Sequence, residues 1–216
     1  MILGIYCAGR LGKELYDIAT RINQVSSRWE KIVFVDDVFD GDEFYGAEVH
    51  RPEEYLDEPG RIEIVIANGT PVNRESIREK VKRMGFSLTN LIDPTTIISP
   101  TARLGKGIII TPFSTISSDA VLHDNVLIQS YVRVGHDIEI GEDSVLSSNV
   151  GIGGKTTVGA QTYIGMGAVV KDELHVGSGS IIGMGAVVHT DVPDGVTMVG
   201  LPARVSKMNE TGKVFK

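Results

Sequence analysis

Disulfide chemistry is closed to this chain. It has a single cysteine, Cys7, so no intrachain bridge can form, which fits a reducing compartment, and the cytoplasm is expected. No apolar run approaches the length that spans a bilayer, and the first residues lack the plan of a secretory signal, so no membrane insertion is expected. Positive charge is in deficit: a net charge of −7 argues against nucleic acid or an anionic membrane as the main partner. No two of the five histidines stand in the His–x4–His spacing that a histidine zinc site wants, so no metal is expected. What is left is 42% hydrophobic content over 216 residues, enough for one globular domain or two small ones.

What the chain does have is a period. Stepping by six from Ile98 meets Leu104, Ile110, Ile116, Leu122, Ile128, Val134 and Ile140, and runs on to Val188 without one marked position that is not Ile, Leu or Val. Four residues after each mark comes a small or aliphatic residue, as at Ser114, Val126, Ser144, Thr162 and Ala186, and glycine often follows the mark directly, as at Gly141, Gly153 and Gly165. Six residues are too few for a helix–turn unit. They fit a short extended segment and a tight turn, with β-branched marks inward and glycine or polar residues at the corner. Three segments close a triangular coil of eighteen residues, so that residues eighteen apart stack at about 4.8 Å in a prism of about five coils.

Ahead of the prism the period changes. Ile2-Leu3-Gly4-Ile5-Tyr6 reads as a buried strand, Lys13 to Ile22 as a helix with Leu15, Ile18, Ala19 and Ile22 on one face, and Lys31 to Val35 as a second strand. A third strand, Ile62 to Ala67, precedes a helix from Val72 to Met84, and Phe86 to Ile92 reads as one more strand. This alternation predicts a small parallel sheet of the doubly wound type, with ligands beyond the carboxyl ends of its strands. Gly9, Arg10, Asp36, Asp37 and Asn68 stand there and are the candidate substrate contacts. The first turn lacks a strict dinucleotide fingerprint, because Cys7 occupies the place of the first glycine. The acids after the second strand could accept hydrogen bonds from a ribose or base, or could simply solvate the strand end.

Of the five histidines, only His136 lies mid-prism, two residues after a mark, so its side chain points outward near a corner. Asp137 adjoins it and can hold the imidazole tautomer through Nδ1. Adding eighteen places Gly154 beneath it, where a bare backbone leaves room and an N–H within reach of an oxyanion. His50 reads as a surface residue, and His123, His175 and His189 as ordinary turn polarity.

The repeat resembles that of the hexapeptide acyltransferases, whose prism is a left-handed parallel β-helix, and a scaffold without activity is the bland alternative. The segment Gly200-Leu201-Pro202-Ala203 resembles the loop by which such prisms exit beside the coenzyme A groove. Together with the Rossmann-like start, the Asp-Asp pair and Gly135-His136-Asp137, it makes the whole chain similar to the sugar acetyltransferases of the bacillosamine, perosamine and sialic-acid (NeuD-like) group. That resemblance implies a nucleotide-sugar-binding domain over 1–94, an acyltransferase prism over 95–192 and an exit loop and tail over 193–216. It also implies acetyl-CoA as co-substrate, lying between subunits of a homotrimer, and a nucleotide-linked aminosugar as acceptor of an N-acetyl group for surface polysaccharide or glycan synthesis. His136 would be the base, Asp137 its orienting acid and Gly154 the oxyanion donor. Val145, Met166, Met184 and Pro202 would line the coenzyme. Some members carry a histidine in the first turn where this chain has Arg10, which could instead pair with a pyrophosphate oxygen. O-acetylation of a free sugar acid, and a non-catalytic trimer that only binds a nucleotide sugar, are the other readings.

Overall fold

The computed structural model describes residues 1–214. Strand β1 (Ile2–Tyr6) is buried throughout and lies between two parallel neighbours, β2 (Lys31–Val35) and β5 (Ile62–Ile66). With β3 (Glu43–Phe44), β4 (Ala47–His50) and β6 (Ser87–Leu88) the sheet has the order β3-β4-β2-β1-β5-β6, and only the β3–β4 pair is antiparallel. The first helix, α1 (Arg10–Ser26), outruns the 13–22 expected of it at both ends and stops where Ser27, at φ +48, donates its N–H to Asn23 O at 2.9 Å. The second, α2 (Pro71–Arg83), opens on a proline that needs no N–H partner, and its last turn carries Lys80, Lys82 and Arg83. Among the described residues, no helix is long and apolar enough to cross a membrane.

One expectation needs correction. Phe86 to Ile92 is not a single strand: Ser87–Leu88 closes the first sheet, whereas Leu91–Ile92 pairs with Ile109–Ile110 and begins the prism. The period of six already reaches back to Ile92, one step before Ile98, so the boundary was legible there.

The prism is built of two-residue strands in three parallel faces, and partners are eighteen residues apart, as in Ile109↔Leu127 or Val121↔Glu139. The first face runs through Leu127, Val145, Tyr163 and Ile181, the second through Arg133, Gly151 and Val169, and the third through Val121, Glu139 and Thr157. The marked aliphatics fill the interior, and from Ile110 to Val188 all are buried. Each full burial contributes about 1.5–3 kcal/mol. Ile140→Ala, with Leu122 and Val158 stacked on either side, should cost about 2–5 kcal/mol. The second series is inward too, which explains its hydroxyls: Ser144 Oγ donates to Gly159 O at 2.9 Å, and Thr162 Oγ1 donates to Gly177 O at 3.0 Å.

The corners carry glycine and polar residues as expected, but at distinct positions. The left-handed residue is the third after the marks from Leu104 to Ile182; it is glycine at Gly107, Gly167, Gly179 and Gly185 and a side-chain-bearing residue elsewhere, as at Asp119, Asn125, Asp137, Asp143 and Asn149, all with φ between 54° and 62°. Asn and Asp tolerate that region better than other side chains. The glycine directly after a mark serves close approach instead. A Cβ on Gly135 would lie 2.7 Å from the Gly154 nitrogen in the next coil.

The lower part of the first face does not meet solvent. Its outward residues Leu91, Ile109, Leu127 and Val145 join Leu15, Ile18, Ala19 and Trp29 in one cluster, so α1 lies between its own sheet and the prism. The exit segment is held to the prism by strand pairing. Val196–Val199 (β7) continues the first face, and Arg204–Met208 (β8) pairs with it antiparallel.

Candidate active site

His136 and Asp137 sit at the corner between the second and third faces. The corner backbone is pinned from both sides: Asp137 N–H donates to Ser118 O at 3.0 Å, and Lys155 N–H donates to His136 O at 2.8 Å. The left-handed turn at Asp137 (φ +54) brings its carboxylate back to the preceding side chain, and His136 Nδ1 lies 2.7 Å from Asp137 Oδ2. With Nδ1–H donating to the carboxylate, Nε2 keeps its lone pair. Both side chains are more than half exposed, at 57% and 54%, so the pair is open to a ligand.

The imidazole lies over Gly154, as the eighteen-residue rule requires. A Cβ built there would fall 2.6 Å from Nε2 and 2.7 Å from Cε1. Among the described residues, the Gly154 N–H donates to no acceptor. Beside this corner a shallow groove of about 500 Å³ crosses the second face, floored by Gly135, Gly151 and Gly153 and flanked by Arg133 and Lys171.

The expected substrate contacts gather at the carboxyl edge of the first sheet, because β1, β2 and β5 end level with one another at Tyr6, Val35 and Ile66. Their roles divide. Asp36 is spent on the backbone: Oδ2 accepts from Ala8 N–H at 2.8 Å, and Oδ1 accepts from Val38 and Phe39 N–H at 2.9 Å. It therefore shapes the loop. Asp37 accepts from Tyr6 Oη–H at 2.7 Å and pairs with Lys80, and it remains 38% exposed. Gly9 precedes α1 with open space above its Cα, and Arg10 is exposed in the first turn. Asn68 Oδ1 caps Thr70 N–H at 3.0 Å, and its side chain also meets the Cys7 sulfur. Burial pushes the Cys7 thiol up to about 11, with the Asp36 carboxylate adding to the shift and the Asn68 bond opposing it, so the sulfur stays protonated and is no nucleophile.

Three of the four expected coenzyme positions come together. Val145, Met166 and Met184 line one apolar cavity of about 420 Å³ with Tyr163, Gly69 and Val214. The first and the last two differ sharply: Val145 is buried, whereas Met166 and Met184 are 55% and 82% exposed. Pro202 is apart from them. It follows β7, and the loop around it bonds to Val187 on the second face through Val187 N–H to Gly200 O at 3.0 Å and Ala203 N–H to Val187 O at 2.9 Å. Nor does one chain bring the histidine to the cavity. Met166 and Met184 occupy the corner between the first and second faces, one prism side away from the corner that carries His136, and His136 does not line the cavity.

The sequence reading missed the link between the two units. Arg74 on α2 is fully buried and donates to Ile66 O at 2.7 Å, Asn68 O at 3.0 Å and Asn125 O at 2.6 Å. Asn125 Nδ2 donates to Asp143 Oδ1 at 2.7 Å, and Arg78 grips Asp143 with Nε at 3.0 Å and Nη2 at 2.8 Å. Burial lowers the Arg74 guanidinium to about 10, with Asp143 opposing the shift, so it is charged at neutral pH. Asn125 and Asp143 read as ordinary turn residues, and nothing in their spacing says that α2 covers this corner. Tyr163 was within reach, since the stacking rule applied to Val145 gives it directly.

Comparison with known proteins gives the family of the fold. The model "Bacterial transferase hexapeptide (six repeats)" matches residues 119–154. A search of curated protein sequences returns no match. Among solved structures, the acetyltransferase domain of PglB from Neisseria gonorrhoeae in complex with acetyl coenzyme A is 31% identical, with a TM-score of 0.88 over 94% of this chain and 98% of that one. WeeI from Acinetobacter baumannii is 30% identical, with a TM-score of 0.88 over 95% and 99%. PerB from Caulobacter crescentus in complex with CoA and GDP-perosamine is 26% identical, with a TM-score of 0.86 over 95% and 97%. With likeness of this degree running nearly end to end, the chain belongs to the hexapeptide-repeat sugar acetyltransferases of the bacillosamine and perosamine group, and its prism is a left-handed parallel β-helix.

Proposed function

We propose that the protein transfers an acetyl group from acetyl-CoA to the amine of a nucleotide-linked amino-deoxysugar, in the cytoplasm, supplying an N-acetylated unit for surface polysaccharide or glycan synthesis. The observation that carries this reading is the imidazole held through Nδ1 by Asp137 and lying over a glycine whose N–H has no acceptor among the described residues. His136 Nε2 takes the amine proton as the nitrogen bonds to the thioester carbon. The Gly154 N–H donates to the oxyanion that forms. The imidazolium then returns the proton to the departing coenzyme sulfur, leaving an amide, free CoA and neutral His136. Gly9, Arg10, Asp37 and Asn68 would hold the nucleotide and its phosphates, with Asp36 keeping their loop in shape. Val145, Met166, Met184 and Pro202 would line the coenzyme. Solved relatives with acetyl-CoA, and with CoA and GDP-perosamine, support both ligand classes.

Because base and cavity stand at different corners of one prism, the reading calls for a homotrimer in which the His136 of one copy faces the cavity of the next. Release of CoA thiol, measured with a panel of nucleotide aminosugars, tests the chemistry. His136→Ala should lower kcat by about 10²–10⁴-fold, and Asp37→Ala should abolish the rise in Tm that a matching nucleoside diphosphate gives wild type. Co-refolding these two inactive variants should restore activity, since mixed trimers hold one intact site. Near-wild-type turnover by His136→Ala would remove the base assignment, and no restoration on mixing would place the whole site within one copy.

A further inference from the structure

The segment after β8 is pinned at both ends. Asn209 makes three bonds: its N–H donates to Gly195 O at 2.7 Å, Nδ2 donates to Gly179 O at 2.7 Å, and Oδ1 accepts from Gly212 N–H at 3.1 Å. Gly212 then passes so close to the first turn of α2 that a Cβ would fall 2.3 Å from Val72 Cγ1, and its φ of +64° is itself a glycine conformation. Two residues on, Val214 lines the apolar cavity, in company with Gly69 from the β5–α2 loop and with Tyr163, Met166 and Met184 from the prism. The end of the described chain thus leaves the top of the prism, crosses to the other unit and walls the space between them.

That space is where the two ligand regions adjoin. Gly69 follows Asn68 at the carboxyl edge of the sheet, so a sugar carried on a nucleotide held at that edge projects toward the prism, and the coenzyme positions Val145, Met166 and Met184 form the facing wall. At about 420 Å³ the cavity is of small-ligand size. We propose that residues 209–214 form a specificity strap, in which Asn209 and Gly212 hold Val214 as the wall that decides which sugar ring the cavity admits. The proposal rests on the acetyltransferase reading above.

The full chain is assayed for CoA thiol release with nucleotide aminosugars that differ only in the bulk of their ring substituents. Gly212→Ala strikes Val72 and displaces the strap. KM for the preferred acceptor should rise at least tenfold and by more than KM for acetyl-CoA, and the relative kcat/KM for bulkier acceptors should increase. Adding Val72→Ala removes the clash and should recover much of the loss, although an alanine at φ +64° is strained in either background. Val214→Trp, which fills the cavity from a half-buried position, should lower kcat/KM for the preferred acceptor at least tenfold while a nucleoside diphosphate alone still raises Tm as in wild type. If wild type is active and all three variants stay within twofold of it for every acceptor, the strap is overturned. If wild type acetylates no nucleotide aminosugar, the functional reading itself is wrong and the strap's role in sugar selection goes with it.

Discussion

Gly154→Ala isolates the placement of the base from everything else the site contains. The residue keeps its N–H, its φ is not in the left-handed region, and no buried polar group is touched, so the added methyl acts only on what lies above it. That is the imidazole, 2.6 Å from the new carbon at Nε2 and 2.7 Å at Cε1, where an ordinary contact needs at least 3.4 Å. The ring must therefore shift by about 1 Å or swing out to solvent, and a misplacement of that size at a reacting group costs about 10²-fold. Steady-state CoA release should show kcat down by about two orders of magnitude, with Tm within a few degrees of wild type because both groups are at the surface. The decisive assay is the double variant. In a His136→Ala background there is no ring to displace, so Gly154→Ala should add almost nothing, far from the product of the two single effects. Wild-type kcat in Gly154→Ala, or full multiplication in the double variant, would refute the claim that the glycine matters as room for the imidazole.

Other expectations follow from the same geometry. Arg74→Met leaves the carbonyls of Ile66, Asn68 and Asn125 buried without this donor, so it should lower stability by about 3–5 kcal/mol. Chemical denaturation at fixed protein concentration measures this, and a loss under about 1 kcal/mol would mean that other donors reach them. Acid should act through Asp93, which is buried beneath Arg21. Burial pushes its carboxyl up, but the bonds from Thr95 and Arg21 together outweigh that and hold it below the ordinary carboxylate range. A depressed folded value means that the stabilisation is complete above the unfolded pKa of about 3.9 and is lost as pH falls through the lower folded value. Arg21→Gln should accordingly move the acid-unfolding midpoint, followed by circular dichroism, to higher pH. An unmoved midpoint would show that the pair contributes nothing.

The prism was legible because its constraint is local and repeated. Each mark must be aliphatic whatever lies outside, so the period of six alone gave the faces, the eighteen-residue stacking and the pairing of His136 with Gly154. The corners were legible as glycine or polar, but the position of the left-handed turn was not, because two demands on glycine look identical in a sequence. Positive φ falls on Asp137 and its equivalents, while Gly135 and its equivalents give way to the backbone of the next coil. Least visible was anything set by one unit lying on the other. Asn125 and Asp143 are buried where Arg74 and Arg78 of α2 reach their corner, and the backbone groups that Asp36 accepts from come together only in the fold. The polar composition of residues 205–214 likewise hid the Asn209 clamp, which depends on carbonyls of Gly179 and Gly195 that only the closed prism brings near.

The eighteen-residue ladder also makes the molecule divisible in fixed units. Removing residues 156–173 would delete one whole coil, join Lys155 to Leu174, and leave every remaining side chain on its own face, because the partner on one side of the gap becomes the partner on the other. Removing only six would turn everything beyond the cut by a third of a revolution, carrying Met184 away from its corner while leaving the interior as aliphatic as before. A change that is not a multiple of six would put polar side chains inside. The chain can therefore be shortened or lengthened only in steps, and the step that preserves hydrophobic burial is smaller than the step that preserves the arrangement of the ligand-facing surface.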